Sequence, residues 1–262
     1  MTSVDPSIAL SDALGVIATT PTLLVALDFD GTLAPEVDQP GAARALPDAQ
    51  AALLRLVDQP GTSVALVSGR ALASLQEVSE APASFLLVGS HGVEYRVGGS
   101  TEVSLSDDEL ALRRTVETIL HEASAPYDSV IVEEKPAGFA LHTRLADEAT
   151  TTAVQAEVRR RIAVEAPGVT ERLGKNVLEY SVKSASKGDA LDRLRELTGA
   201  TAVFFAGDDV TDEDGFRALG DSDFGLKCGR GETAARFRVD APADVAHVLE
   251  DLAELRAHLG RA

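Results

Sequence analysis

The chain has one cysteine, Cys228, so no disulfide can close within it. That usage fits a reducing cytoplasm, and Cys228 reads as small buried filler. Long apolar runs are missing as well. The longest near the front, residues 22–27, falls well short of the roughly 20 residues that cross a bilayer. No basic segment precedes an apolar run at the N-terminus, so neither a signal peptide nor a membrane partner is expected. Cations are scarce: 24 Lys and Arg stand against 42 Asp and Glu, a net charge of −18. Phosphate backbones reward cations, so nucleic acid is excluded as a partner. There are no internal repeats and no low-complexity linker. What is present is a 45% hydrophobic composition over 262 residues, enough for one large domain or two small ones with proper cores. No apolar helix face is left over, and a monomer is expected.

Strands and helices alternate from residue 21 onward. A short leader helix over 7–18 precedes Pro21. The apolar run 23–29 predicts a buried parallel strand. A helix over 47–57, a strand over 63–67, a helix over 71–78 and a strand over 85–89 follow. This order implies a doubly wound α/β sheet. The pattern then changes. Ser106 and Glu109 form a capping box for a helix to about residue 121, followed by strands over 130–134 and 139–144. A helix over 147–165 and strands over 169–173 and 177–180 complete an αββαββ block. After Lys187 the first pattern resumes: helix 188–197, strand 202–206, a helix from 212, strand 224–227 and helix 243–259. The expected organisation is a leader (1–20), a core (21–104 and 184–262) and an inserted α+β domain (105–183).

The strongest chemical signal is Asp28-Phe29-Asp30-Gly31-Thr32-Leu33, placed where the first buried strand ends. Sites in open α/β sheets lie beyond the carboxyl ends of strands. Two carboxylates at the lip of a core strand are costly unless they bind metal or react. One carboxylate can attack phosphorus; a second, two residues on, can exchange a proton with the leaving group and with water. Gly31 permits a sharp turn that aims amides at a phosphate. A second acidic run, Gly207-Asp208-Asp209-Val210-Thr211-Asp212-Glu213-Asp214, follows another buried strand and offers hard oxygen ligands for Mg2+. A calcium loop does not fit, because Val210 would fall at the first ligand position. Asp212 is also expected to cap the following helix. Between the two runs lie Ser68-Gly69-Arg70 after the second strand and Lys187 at a helix start, either of which can contact phosphate. A cation there is needed, because the overall charge repels a phosphate dianion.

Taken together, the aspartate pair, Ser68, Lys187 and the acidic run resemble the four motifs of haloacid dehalogenase superfamily phosphatases, over about residues 22–262. The resemblance implies a HAD-like core in which Asp28 is nucleophile and metal ligand. Asp30 would be general acid/base, its carbonyl also binding Mg2+. Ser68 and Lys187 would hold the phosphate and Asp208 would complete the metal site, with Asp209 or Asp212 acting through water or behind the ligands. Gly31, Thr32, Arg70 and His91 join the substrate set by the same carry-over.

Substrate choice falls to the inserted domain, which on this resemblance is a cap closing over the core, hinged near residue 100 and over 183–186. Along 139–144, His142 and Arg144 are expected on one face by the two-residue period. The segments Gly89-Ser90-His91-Gly92-Val93-Glu94, Glu133-x-Lys135, His142-x-Arg144, Gly174-Lys175…Glu179 and Lys187-Gly188 are similar to those of trehalose-6-phosphate phosphatases. That likeness implies trehalose 6-phosphate as substrate, with Glu133, Lys135, His142, Arg144, Lys175 and Glu179 in the sugar-binding set. Sucrose 6-phosphate or mannosyl-3-phosphoglycerate would suit the same chemistry. A silent sugar-phosphate-binding domain would be expected to lack the nucleophile or the acid, and both are present.

Overall fold

A computed structural model describes residues 10–37, 39–174, 176–183 and 185–259. The chain begins with α1 (Leu10–Ala18), β1 (Leu23–Leu27), a 3-10 turn at Pro40–Ala42, α2 (Pro47–Val57), β2 (Thr62–Val67), α3 (Leu72–Ser79) and β3 (Leu86–Gly89). A hairpin follows, β4 (Glu94–Val97) and β5 (Ser100–Val103). Next come α4 (Asp107–Ser124), β6 (Ile131–Lys135), β7 (Gly138–His142), α5 (Glu148–Glu165), β8 (Thr170–Gly174) and β9 (Val177–Ser181). The chain closes with α6 (Lys187–Thr198), β10 (Ala202–Gly207), α7 (Asp212–Ala218), β11 (Phe224–Cys228), β12 (Phe237–Val239) and α8 (Pro242–Leu259). These elements form two compact units, one running to Glu102 and resuming at Ala185, the other Val103–Ser184. Among the described residues no helix is long and apolar enough to cross a membrane.

The first unit is built on an eight-stranded sheet in the order β12-β11-β10-β1-β2-β3-β4-β5, parallel from β12 through β3 and antiparallel at β3–β4. All five residues of β1 are buried, as a strand covered on both faces requires. Its side chains alternate between two cores. Leu23, Val25 and Leu27 pack with α1, α2, α3 and α8, whereas Leu24 and Ala26 pack with Leu191, Leu194 and Phe216 on the opposite face. The register Leu27↔Ala206 sets β1 directly beside β10. Residues 179 positions apart thereby become neighbours at the carboxyl edge. The helix α6 starts on a capping box, Ser186 with Asp189, and stops at left-handed Gly199, so its first residue, Lys187, has a fixed place.

The second unit is a four-stranded antiparallel sheet, β6-β7-β9-β8, with α4 and α5 on one face. The Ser106–Glu109 capping box opens α4 as expected. Val116, Ile119, Leu120, Val154 and Val158 from the helices meet Phe139, Leu141, Leu178 and Tyr180 from the sheet.

Several expectations need adjusting. The antiparallel hairpin β4–β5 and the edge strand β12 were not anticipated, because each is short and carries polar residues. Of the predicted leader helix, residues 10–18 are helical, and 7–9 lie outside the described residues. The strand expected over 139–144 ends at His142, so Arg144 does not share a strand face with His142. The Thr143 N–H still meets the carbonyl of Asn176 in the β7–β9 register, and Ala146 N–H then closes a turn on Thr143 O. That turn carries Arg144 into solvent.

Candidate active site

Asp28 is the first residue past β1, 5% exposed, its N–H held by the carbonyl of Ala206 at 2.9 Å. The Lys187 ammonium, 2% exposed, donates to Asp28 Oδ1 and to Asp212 Oδ1, each at 2.6 Å. The second oxygen of Asp212 accepts the N–H groups of Asp208 at 3.0 Å and Asp209 at 2.9 Å. Thr32 Oγ1 donates to Asp208 Oδ1 at 3.0 Å. Ligand oxygens of Asp28, Asp208 and Asp212 lie within 4.8 Å of one another, and the Lys187 ammonium bridges two of the three.

That crowding sets the electrostatics. Burial pushes the Asp28 carboxyl up to about 8, against the pull of Lys187 and helped by the neighbouring Asp212 and Asp208 charges. Asp208 is raised too, by burial first and by Asp212, with the Thr32 hydroxyl opposing. Lys187 loses hydration on burial, yet Asp28 and Asp212 more than restore its charge and hold it above the ordinary lysine value. The cluster therefore has a surplus of negative charge that one more cation would relieve.

Gly31 closes the pocket wall. Its φ of +80 suits the turn, and an added Cβ would stand 2.1 Å from Asp208 Oδ2, so any side chain would push that carboxylate aside. The turn is held by Gly31 N–H to Ala34 O at 2.8 Å and Leu33 N–H to Phe29 O at 3.0 Å. The neighbouring Asp30 does not join the carboxylate cluster. Its oxygens receive the Arg70 guanidinium in a fork, Nε–Oδ2 2.5 Å and Nη2–Oδ1 2.6 Å, a geometry that only Arg provides. Ser68 is buried, and its Oγ accepts from Arg70 N–H at 3.1 Å. His91 follows a tight turn in which Ser90 and His91 both have positive φ. Its ring lies over Gly69, where a Cβ would come within 2.5 Å of His91 Cε1.

The structure thus brings Asp28, Asp208 and Lys187 into one cluster, lined by Gly31 and Thr32. Asp30 pairs with Arg70, and Ser68 and His91 neighbour that arginine's loop. Asp209 is exposed and contributes its amide. Asp212, expected as a helix cap, is instead the first residue of α7, with its carboxylate turned back into the cluster and wholly buried. The resemblance implies a place for Asp212 behind the ligands; its pairing with Lys187, 25 positions upstream, is what local spacing does not show. Lys227 and Glu213, both buried, have no role in the sequence reading. The signal for Lys227 was a cation inside the otherwise apolar strand Phe224–Cys228.

The second unit carries its own polar row. Glu133 accepts from Lys135 Nζ at 2.5 Å and meets His142 Nε2 at 2.7 Å. Lys135 and then His142 hold the Glu133 carboxyl below its usual range. The register Glu133↔Ala140↔Glu179 puts both glutamates on one sheet face. Lys175 lies outside the described residues.

An α/β sheet with a carboxylate past its central strand, a lysine bridging it to an acidic loop and an inserted second unit defines a haloacid-dehalogenase-type phosphatase fold. The comparisons with known proteins narrow that class. The trehalose-phosphatase family model matches residues 26–242. Trehalose-6-phosphate phosphatase of Escherichia coli is 33% identical over 231 residues, 85% of this chain and 84% of that protein. The bifunctional trehalose-6-phosphate synthase/phosphatase of Thermoproteus tenax is 33% identical over 87% of this chain, which spans only 32% of that protein. A solved trehalose-6-phosphate phosphatase from Aspergillus fumigatus superposes with a TM-score of 0.68 at 26% identity, covering 96% of this chain and 98% of that one. This chain belongs to the trehalose-phosphatase family.

Proposed function

We propose that the chain hydrolyses trehalose 6-phosphate to trehalose and phosphate through an aspartyl-phosphate on Asp28. The observation that carries this reading is the buried Asp28–Lys187–Asp212 constellation with Asp208 beside it. In this reading residues 21–104 and 184–262 are the catalytic core, 105–183 a cap and 1–20 a leader.

The donor set fits a hard divalent cation. Clustered carboxylate oxygens, a surplus negative charge and no sulfur or imidazole among them suit Mg2+. Asp28 and Asp208 would hold it, joined by the Asp30 carbonyl, while Asp212, saturated by Lys187 and two amides, orders the loop. Once bound, such an ion supplies charge neutralisation at the phosphate and keeps Asp28 ionised.

The protein's own groups do the rest. Asp28 forms a bond to phosphorus in line with the sugar oxygen, whose bond to phosphorus breaks. Asp30 gives a proton to the departing oxygen. It then takes a proton from the water that attacks phosphorus and releases Asp28. Lys187 spans nucleophile and phosphate, and Ser68 and Thr32 line the anion. Asp30 can act only after its fork to Arg70 opens, and a phosphate is the natural new partner for that guanidinium. The polar row Glu133, Lys135, His142 and Glu179, with Lys175 and Arg144, reads the sugar. Net charge −18 favours a small-molecule substrate over nucleic acid, and one buried cysteine suits a reducing cytoplasm.

The test is phosphate release with Mg2+ from trehalose 6-phosphate, sucrose 6-phosphate, glucose 6-phosphate, mannosyl-3-phosphoglycerate and p-nitrophenyl phosphate. A large kcat/KM preference for trehalose 6-phosphate is expected. Preference for another ester would keep the chemistry and overturn the substrate.

A further inference from the structure

Lys227 is a buried cation that the chemistry above does not use. It lies near the end of β11, 3% exposed, amid apolar neighbours. Strands with both faces covered have no place for an ammonium unless something specific receives it. Here Nζ donates to the carbonyl of Asp208, with the Asp209 carbonyl at 3.5 Å. The Glu213 carboxylate stands 3.7 Å away. Glu213 is itself 8% exposed. Its Oε2 accepts the N–H of Ala234 at 2.8 Å, whereas its Oε1, the atom facing Lys227, has no hydrogen-bond partner.

The contacts converge on one peptide unit. The Asp208–Asp209 peptide has its carbonyl on Lys227 Nζ and its N–H on Asp212 Oδ2 at 2.9 Å. A trans peptide directs those two groups oppositely, so the plane is gripped from both sides. The same Asp212 is tied by Lys187 to Asp28. Two buried lysines therefore brace the acidic loop, one through a carboxylate inside the cluster and one through a carbonyl behind it. The side chain of Asp208, which leaves from the gripped peptide, takes its direction from that plane.

We propose that Lys227, with Glu213 as its counter-charge, is a positioning residue for the cation site, orienting the Asp208 carboxylate from behind without touching substrate. This rests on the reading that Asp28 and Asp208 hold Mg2+. Groups that orient ligands from behind commonly change metal affinity by about 10- to 100-fold. Without Lys227 the Asp208 carbonyl loses its donor and the peptide can rotate, so Mg2+ binding should weaken before substrate binding does.

The experiment is calorimetric titration of Mg2+ into substrate-free wild type, Lys227→Met, Lys227→Arg and Glu213→Gln, with circular dichroism to confirm folding. Wild type should bind; if it does not, the Mg2+ reading itself fails. Given binding, Lys227→Met should raise the Mg2+ Kd at least about tenfold, Lys227→Arg should recover part of that, and Glu213→Gln should show a smaller rise. Saturating Mg2+ should return most of the kcat of Lys227→Met with little change in KM for trehalose 6-phosphate. A folded Lys227→Met that binds Mg2+ within twofold of wild type overturns the proposal. If Lys227→Met does not fold, Glu213→Gln decides: a weakened Kd supports the brace, and an unchanged one overturns it.

Discussion

The cluster around Asp28 and the polar row around Glu133 are both groups of carboxylates met by cations, yet they differ in depth. Asp28 and Lys187 have side chains 7% and 2% exposed, whereas Glu133, Lys135 and His142 are 45%, 39% and 38% exposed. At Asp28, burial holds a carboxyl far above its ordinary value, and its Oδ1 is held by Lys187 from a distant helix. On the β6–β7 face, partners come from the same or the adjacent strand, and water screens them. The contrast fits the two tasks proposed for them. Attack on phosphorus needs charges already fixed in a dry place, where they act strongly. Reading hydroxyls needs directional groups that can trade water for ligand at little cost.

Mutation can sharpen that contrast. The largest effect should come from Asp28→Asn, which keeps shape and removes the nucleophile. Phosphate release should fall by roughly 10⁴-fold or more, and retained turnover would sink the covalent scheme. Next is Lys187→Met, which leaves Asp28 and Asp212 facing each other without their shared cation. Breaking a buried pair in this way costs about 3–5 kcal/mol. The drop in Tm should be clear without Mg2+ and partly reversed by it, and an unchanged Tm would show that the ammonium contributes nothing to the cluster.

The pH dependence comes third. Asp28 is raised from 3.8 to about 8, so between those values the folded state holds a proton that the unfolded state has released. This contribution makes the cation-free protein less stable as pH rises from about 4 to 8, then levels off. Mg2+ needs the ionised carboxylate, so its affinity should rise over the upper part of that range, by up to about tenfold per pH unit below 8. Mg2+ titrations at pH 6.5, 7.5 and 8.5 measure the slope; a flat response would show that Asp28 carries no proton in the cation-free state. The smallest effect belongs to the half-exposed row. Glu133→Gln should lower kcat/KM for trehalose 6-phosphate by about tenfold, the scale of one hydrogen bond to a charged group. Turnover of p-nitrophenyl phosphate, which offers no sugar hydroxyls, should stay within about twofold. Equal losses on both esters would move Glu133 out of sugar recognition.

Much of this is legible in the residues alone. The run 23–29 reads as a covered strand because it is almost wholly apolar; the strand itself ends at Leu27, and Asp28 follows directly. Ser106 and Glu109 announce α4 three residues apart, since a capping box is local. Elsewhere local pattern misled. Period-two alternation carries the seventh strand past His142 to Arg144, but a turn closed by Ala146 N–H on Thr143 O ends the strand first. Asp212 in front of a helix reads as a cap, and a local reading cannot show a carboxylate folding back toward a lysine 25 residues upstream.

By itself, the sequence determined the class of chemistry: paired aspartates at the end of a buried strand, a lysine at a helix start and an acidic run after a second buried strand. Residue types at element ends are local properties, and physics restricts them there. Only the tertiary structure decided which groups meet. The parallel register of β1 with β10 puts Asp28 beside Asp208. The Arg70 fork closes on Asp30 across 40 positions, and Lys227 reaches the loop behind the cluster from 19 positions away. Such pairings depend on where separate strands end side by side, and no spacing along one strand or helix encodes that.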